Sequence, residues 1–149
     1  MDRPFLVENQ KERERLHKLV ARLSDDELTR PMWEGWTLAA ALAHLAFWDQ
    51  RALVLMKKWK VAGVASSPSE VDVTNDSILP LCLAIPPRVA ARLAVSAAEA
   101  IDSELEKAGD DLLRDIWQLG DRFRLYRSDH RKGHLDQIES LLNTRSGKS

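Results

Sequence analysis

From Thr37 to Lys60 the chain contains no proline and no glycine. Within that stretch Ala41, His44, Leu45, Trp48, Ala52, Leu55 and Trp59 recur at helical spacing. At 3.6 residues per turn they trace one stripe along about six turns of helix. A helix of that length with one apolar stripe is stable only when other elements cover it. Thr37 is a good N-cap, because its hydroxyl can accept from a backbone N–H in the first turn. The alanine-rich start over Leu38–Ala43 adds helix propensity and lets a neighbouring helix approach closely.

The rest of the chain repeats this pattern. Leu16, Leu19, Val20 and Leu23 mark a first helix over about Phe5 to Leu23. Ser24-Asp25-Asp26-Glu27 has the form of a capping box and predicts a short helix that stops before Pro31. Met32-Trp33-Glu34-Gly35-Trp36 reads as a loop. Val61 to Thr74, with Gly63, Ser66, Ser67, Pro68 and Ser69, reads as a long connection. Asp72, Thr74, Asn75 and Asp76 offer caps for a short helical piece before Pro86, with Pro80 in its first turn. Pro87 suits the first turn of a third long helix over about Arg88 to Lys107. Its apolar side is Leu93, Ala97, Ala100, Ile101, Leu105 and Ala108, and Gly109 is its expected C-terminal cap. Asp110 to Gly120 reads as a connection with about one helical turn. The last helix is expected from about Asp121 to Asn143, with Phe123, Tyr126, His130, His134, Ile138 and Leu141 inward. Thr144 to Ser149 reads as a frayed polar tail. No segment has strand periodicity and no internal repeat is visible, so the class is all-α.

A chain of 149 residues fits one domain, 1–149, and can bury a core without disulfides or a metal staple. A net charge of -1 argues against a dedicated nucleic-acid binder. Arg122, Arg124, Arg127, Arg131 and Lys132 cluster along the last helix, where they alternate with the apolar stripe and read as a solvated face. The single cysteine, Cys82, lies among Leu81, Leu83 and Ile85 and reads as a buried thiol rather than a nucleophile. The N-terminus lacks the layout of a secretory signal, and no apolar run approaches the ~20 residues of a membrane span. The expectation is a soluble cytoplasmic protein.

Chemistry concentrates in Asp129-His130-Arg131-Lys132-Gly133-His134. Histidines four residues apart project side by side from one helical face, which suits two ligands on one divalent metal. A third ligand must come from elsewhere, and His44, on the inward stripe of its helix, is the candidate. A buried histidine satisfied by a hydrogen bond is the alternative at that position. His17 falls beside the first stripe and reads as a surface residue. An HExxH motif is absent, since position 131 is arginine. Asp49 and Asp129 either orient the histidines or stay solvated, the second being the commoner fate. Trp33, Trp36, Trp48, Trp59 and Trp117 either line a pocket beside the metal or fill the core.

The chain resembles the DinB-like superfamily, which is distinct from the error-prone polymerase of that name. The resemblance rests on the first helix, Trp36-Thr37 leading into the helix with His44, and the late His130-x-x-x-His134 pair. It includes the connection through Asp72 and Asn75, and covers about Phe5 to Leu142. It implies an up-down-down-up four-helix bundle with a long connection between the second and third long helices. It also implies a divalent metal (zinc, nickel, iron or manganese) on His44, His130 and His134. The family includes transferases and isomerases that use a low-molecular-weight thiol such as bacillithiol, mycothiol or glutathione. The chain shows no second domain of the kind attached to some mycothiol-dependent isomerases, and Pro80 with Pro86-Pro87 breaks its third segment.

The leading expectation is therefore a metal-dependent enzyme, a small-thiol S-transferase or isomerase acting on a small molecule as a homodimer. No nucleic-acid or membrane partner is expected. The alternative is a noncatalytic metal-binding or stress-associated helical binding module. A third reading is a buried histidine network without metal.

Overall fold

Two of the caps expected from the sequence form, at Ser24 and Thr37, whereas Asp72, Thr74, Asn75 and Asp76 lie inside a helix that starts after Glu70 without a side-chain cap. Ser24 Oγ accepts from the backbone N–H of Glu27 at 3.1 Å, and Glu27 Oε1 accepts from the backbone N–H of Ser24 at 2.9 Å. Thr37 Oγ1 accepts from the N–H of Ala40 at 3.1 Å. In the computed structural model, which describes residues 1–146, they start the second and third of seven α-helices. These are α1 (Pro4–Arg22), α2 (Asp25–Leu28), α3 (Leu38–Ala62), α4 (Val71–Ala84), α5 (Pro87–Lys107), α6 (Asp110–Trp117) and α7 (Ser128–Ser146). A single 3-10 turn spans Gly120–Arg122. Among the described residues there is no strand, only an isolated bridge between Pro31 and Thr37. No described helix is long and apolar enough to cross a membrane.

The most extensive helix contact joins α3 and α5. Ala39, Ala40 and Ala43 of α3 are buried in one cluster with Ala90, Ala91, Ala94 and Ala98 of α5. Small side chains on both surfaces let the helix axes approach closely. α1 packs on α5 and α7, and α4 packs on α3. Leu16 and Leu19 of α1, with Leu135 and Ile138 of α7, complete this part of the core.

Several boundaries differ from the expected ones. The last helix begins at Ser128, not near Asp121. Asn9 of α1 decides this. Its buried side-chain amide donates to the carbonyl of Leu125 at 2.9 Å, and its oxygen accepts from the N–H of Ser128 at 2.8 Å. The cap comes from a helix more than a hundred residues away. Phe123 and Tyr126 therefore precede α7, packing on Trp59 and Phe5 respectively. Asn9→Ala strands a buried carbonyl and a buried N–H. It is expected to cost about 2–4 kcal/mol in urea unfolding, and a loss below about 1 kcal/mol would show that water replaces the cap.

Pro80 lies inside α4, not in its first turn. It is exposed, so solvent can reach the carbonyl left without a donor. The long connection shortens accordingly, because α4 begins at Val71. Gly63, at φ 89°, closes α3 by donating to the carbonyl of Trp59. Gly109 is the N-cap of α6 rather than the C-cap of α5, since Ala108 already turns the chain into extended backbone. Residues 110–117 form two helical turns, burying Leu113 and Ile116. Leu93 is exposed, and Ala90, Ala94 and Ala98 hold the buried face instead. The helix continues through Ser146, where a frayed tail was expected to begin at Thr144. The rest of that tail, 147–149, lies outside the described residues.

Candidate metal centre

α3 presents His44, and one face of α7 presents His130 and His134. The three rings meet edge to face, with centroids 4.8 to 4.9 Å apart. His130 Nε2 lies 3.0 Å from His44 Nε2 and 3.2 Å from His134 Nε2. One ligand atom from each histidine lies within 4.8 Å of the other two.

Hydrogen bonding alone does not account for this cluster. A neutral ring nitrogen carries either one N–H or one in-plane lone pair. The Nε2 of His130 can therefore make one good hydrogen bond, yet it faces two other Nε2 atoms. A shared cation would satisfy all three lone pairs together. The separations are of the size expected for nitrogens each ~2.0–2.1 Å from one ion. The donor set fits a divalent metal with open positions, and does not select among first-row ions.

The rings are also held neutral. Burial lowers the pKa of His44 to about 4, helped by the nearby His134. Burial lowers His130 to about 2, with further contributions from His134, His44, Arg127 and Arg131. His134 is lowered as well, mainly by burial, with Gln137 acting in the opposite sense. Neutral imidazoles are the form that binds metal. They also link pH to stability. Between pH 6.5 and about 4 the unfolded chain takes up a proton at His44 that the folded chain refuses. Stability of the metal-free protein should thus fall as pH drops below about 6.5. His44 alone should remove roughly 2 kcal/mol between about pH 7.5 and pH 5. Urea unfolding of chelator-treated protein checks this. An equal pH dependence in His44→Gln would contradict it.

Two tryptophans fix the rings. Trp33 stacks on His134 at 5.6 Å with an interplanar angle of 18°. Trp36 meets His44 edge to face at 5.3 Å. Both come from the turn before α3, where Glu34 and Gly35 adopt φ 38° and 86° and Trp36 N–H donates to Trp33 O at 2.7 Å. Gly35 takes this left-handed conformation without strain. A cavity of about 540 Å³ opens over the histidines. Trp33, Trp36, Trp48, Arg51, Tyr126 and Arg127 are among its walls. Trp59 is instead buried against Phe123, and Trp117 is exposed beside an adjoining depression of about 390 Å³ that shares Phe123 and Tyr126 with the cavity.

Neither Asp49 nor Asp129 orients a histidine. Asp129 is exposed, and among the described residues its carboxylate lies near Arg124 alone, at 3.9 Å. Asp49 is buried and paired with arginines. The basic cluster on the last segment is correspondingly not a uniform solvated face. Arg131 is 1% exposed. It donates to both oxygens of Asp102 at 2.9 Å, to Asp49 at 3.2 Å and to the carbonyl of Asn9 at 3.1 Å. Arg13 pairs with Asp102 at 2.6 Å and Arg127 with Asp49 at 3.0 Å. Three guanidinium groups thus surround two buried carboxylates and tie α7 to α1, α3 and α5 beside His130. His17 is exposed, as the sequence suggested. Cys82 is buried outside the cavity, and burial raises its thiol pKa.

Sequence reasoning passed over Arg51. It follows His44 and Trp48 along one face of α3, at spacings of four and three residues, and that spacing was the available signal.

The model of the DinB superfamily matches residues 8–138, a span that includes all three histidines. No curated protein matches the chain, and no solved structure matches it.

Proposed function

Since the chain belongs to the DinB superfamily, we propose that it is a divalent-metal-dependent enzyme whose ligands are His44, His130 and His134. Its reaction class in this reading is small-thiol S-transfer or a related isomerisation. The observation that carries the reading is the convergence of three neutral imidazoles at the base of an open cavity. The reading includes an up-down-down-up four-helix bundle forming one domain over 1–149, and a homodimer in the cytoplasm. It assigns the protein a small-molecule substrate and no nucleic-acid partner.

When bound, a zinc, nickel, iron or manganese ion would supply Lewis acidity, lowering the pKa of a thiol or water beside it. The chain's own residues do the rest. His44, His130 and His134 offer neutral nitrogens on one side and leave the cavity side free for substrate. Trp33 and Trp36 hold the rings of His134 and His44 in place and keep water from their apolar faces. No carboxylate reaches a ring nitrogen among the described residues, so this site provides no HExxH-type base. Arg127 and Arg131 lie close enough to disfavour a proton on His130, and the same positive field would favour an anionic thiolate in the cavity.

The test is metal analysis of protein purified without a nickel column, followed by turnover assays with several thiols and electrophiles. Thiol-dependent turnover that scales with metal content is expected. Cys82→Ser should keep most of it, because the buried thiol lies outside the cavity. Full metal content without turnover on any pair would favour a noncatalytic metal-binding module. Loss of turnover in a folded, fully metallated Cys82→Ser protein would overturn the assignment of the nucleophile to the cosubstrate.

A further inference from the structure

The cavity wall on α3 runs from His44 through Trp48 to Arg51. Seven residues of helix place Arg51 about 10 Å along the axis from His44. Arg51 is half-buried and makes no ion pair among the described residues. Its guanidinium lies 5.8 Å from the centroid of the Trp48 ring, and its hydrogen bonds go to the carbonyl of Ser67 at 2.7 Å and the hydroxyl of Ser67 at 3.3 Å. Trp48 is itself fixed, since its indole N–H donates to Asn75 Oδ1 at 2.9 Å. Of the other arginines of this wall, Arg127 pairs with Asp49 and Arg124 lies near Asp121 and Asp129. Arg122 is exposed and donates to the carbonyl of Leu119 and the hydroxyl of Ser66. Asp72 and Asp76 also line the cavity, but they are exposed and neither pairs with Arg51.

We propose that Arg51, on its Trp48 platform, is an oxyanion subsite that binds a carboxylate or phosphate on the thiol cosubstrate, about 10 Å of helix rise from the histidine centre. Placing a guanidinium there without a carboxylate is unfavourable in the free protein. Burial and the charge of Arg127 both lower the Arg51 pKa. An arriving oxyanion would relieve that repulsion and offer two acceptors to the planar fork. The neutral Ser67 oxygens give weaker bonds than a charged partner would. The inference rests on the thiol reading for the identity of the ligand, but not for the existence of the subsite.

The experiment is calorimetric titration in two arms. In the first, metal-loaded protein receives mercaptoalkanoic acids long enough to span the distance, the corresponding amides, and a mercaptoalkyl phosphate. In the second, the His44→Ala protein receives thiol-free alkanoic acids and their amides. The acid should bind about tenfold or more tightly than the amide in the first arm, the gain typical of a charge-assisted hydrogen bond. A preference for the acid should persist in the second arm. Arg51→Gln should abolish the preference in both arms, and Arg51→Lys should keep part of it; circular dichroism confirms that each variant is folded. Tighter binding of the phosphate or of the carboxylate supports the subsite in either case and identifies its oxyanion. If no thiol binds while the second arm keeps an Arg51-dependent preference, the thiol reading fails and the subsite stands. Equal binding of acid and amide in both arms, a preference that survives Arg51→Gln, or no binding in either arm overturns the proposal.

Discussion

His130→Ala protein is expected to bind no divalent metal, against about one ion per chain in the parent if three imidazoles share it. His130 is the central member, because its Nε2 faces the Nε2 of both His44 and His134. Its removal leaves two nitrogens on different helices and breaks the pair on α7. The helical signal should survive, since the cluster lies at the cavity and the main core is elsewhere. Thiol-dependent turnover should disappear with the metal. The metal-free form of the variant should be no less stable than the metal-free parent near neutral pH, because a poorly satisfied imidazole contact has been removed. Metal analysis, circular dichroism and turnover on the same preparation check all of this. Retention of stoichiometric metal in a folded His130→Ala protein would rule out the three-histidine centre.

Arg131→Met should have the largest effect on stability, about 3–5 kcal/mol, the range for breaking a buried ion pair on one side. For a chain of this size that corresponds to a fall in melting temperature of roughly 10 °C. Methionine fills much of the volume but cannot replace the donors to Asp102, Asp49, Asn9 and Ala98. Arg13 and Arg127 still face the two carboxylates, which keeps the effect from growing further. Arg131→Lys should recover little, because a single ammonium cannot make the paired bonds to Asp102. Chemical unfolding of the metal-free proteins measures the difference without a contribution from metal binding. A loss under about 1 kcal/mol would mean that the network behaves as a solvated surface pair.

Short-range information determined most of the helices, the caps of α2 and α3, and the side-by-side placing of His130 and His134 on α7. Periodicity, the Ser24 box, the Thr37 cap and the four-residue histidine spacing act within one or two turns, so they can be read from neighbouring residues. The position of His44 on its stripe was legible for the same reason. That its Nε2 meets the Nε2 of His130 was not, because it depends on how α3 and α7 pack. Tertiary structure alone decided where α7 starts, through Asn9. It also decided which charges are buried. Arg131 and Lys132 are adjacent and chemically similar in sequence, yet Arg131 is almost fully buried and Lys132 is exposed. The difference is that Asp49 and Asp102 arrive from two other helices to pair with Arg131, whereas Lys132 finds its partner, Asp136, one turn away on its own helix. A local pattern cannot register a partner that is distant in sequence, and a buried charge is stable only when such a partner is present.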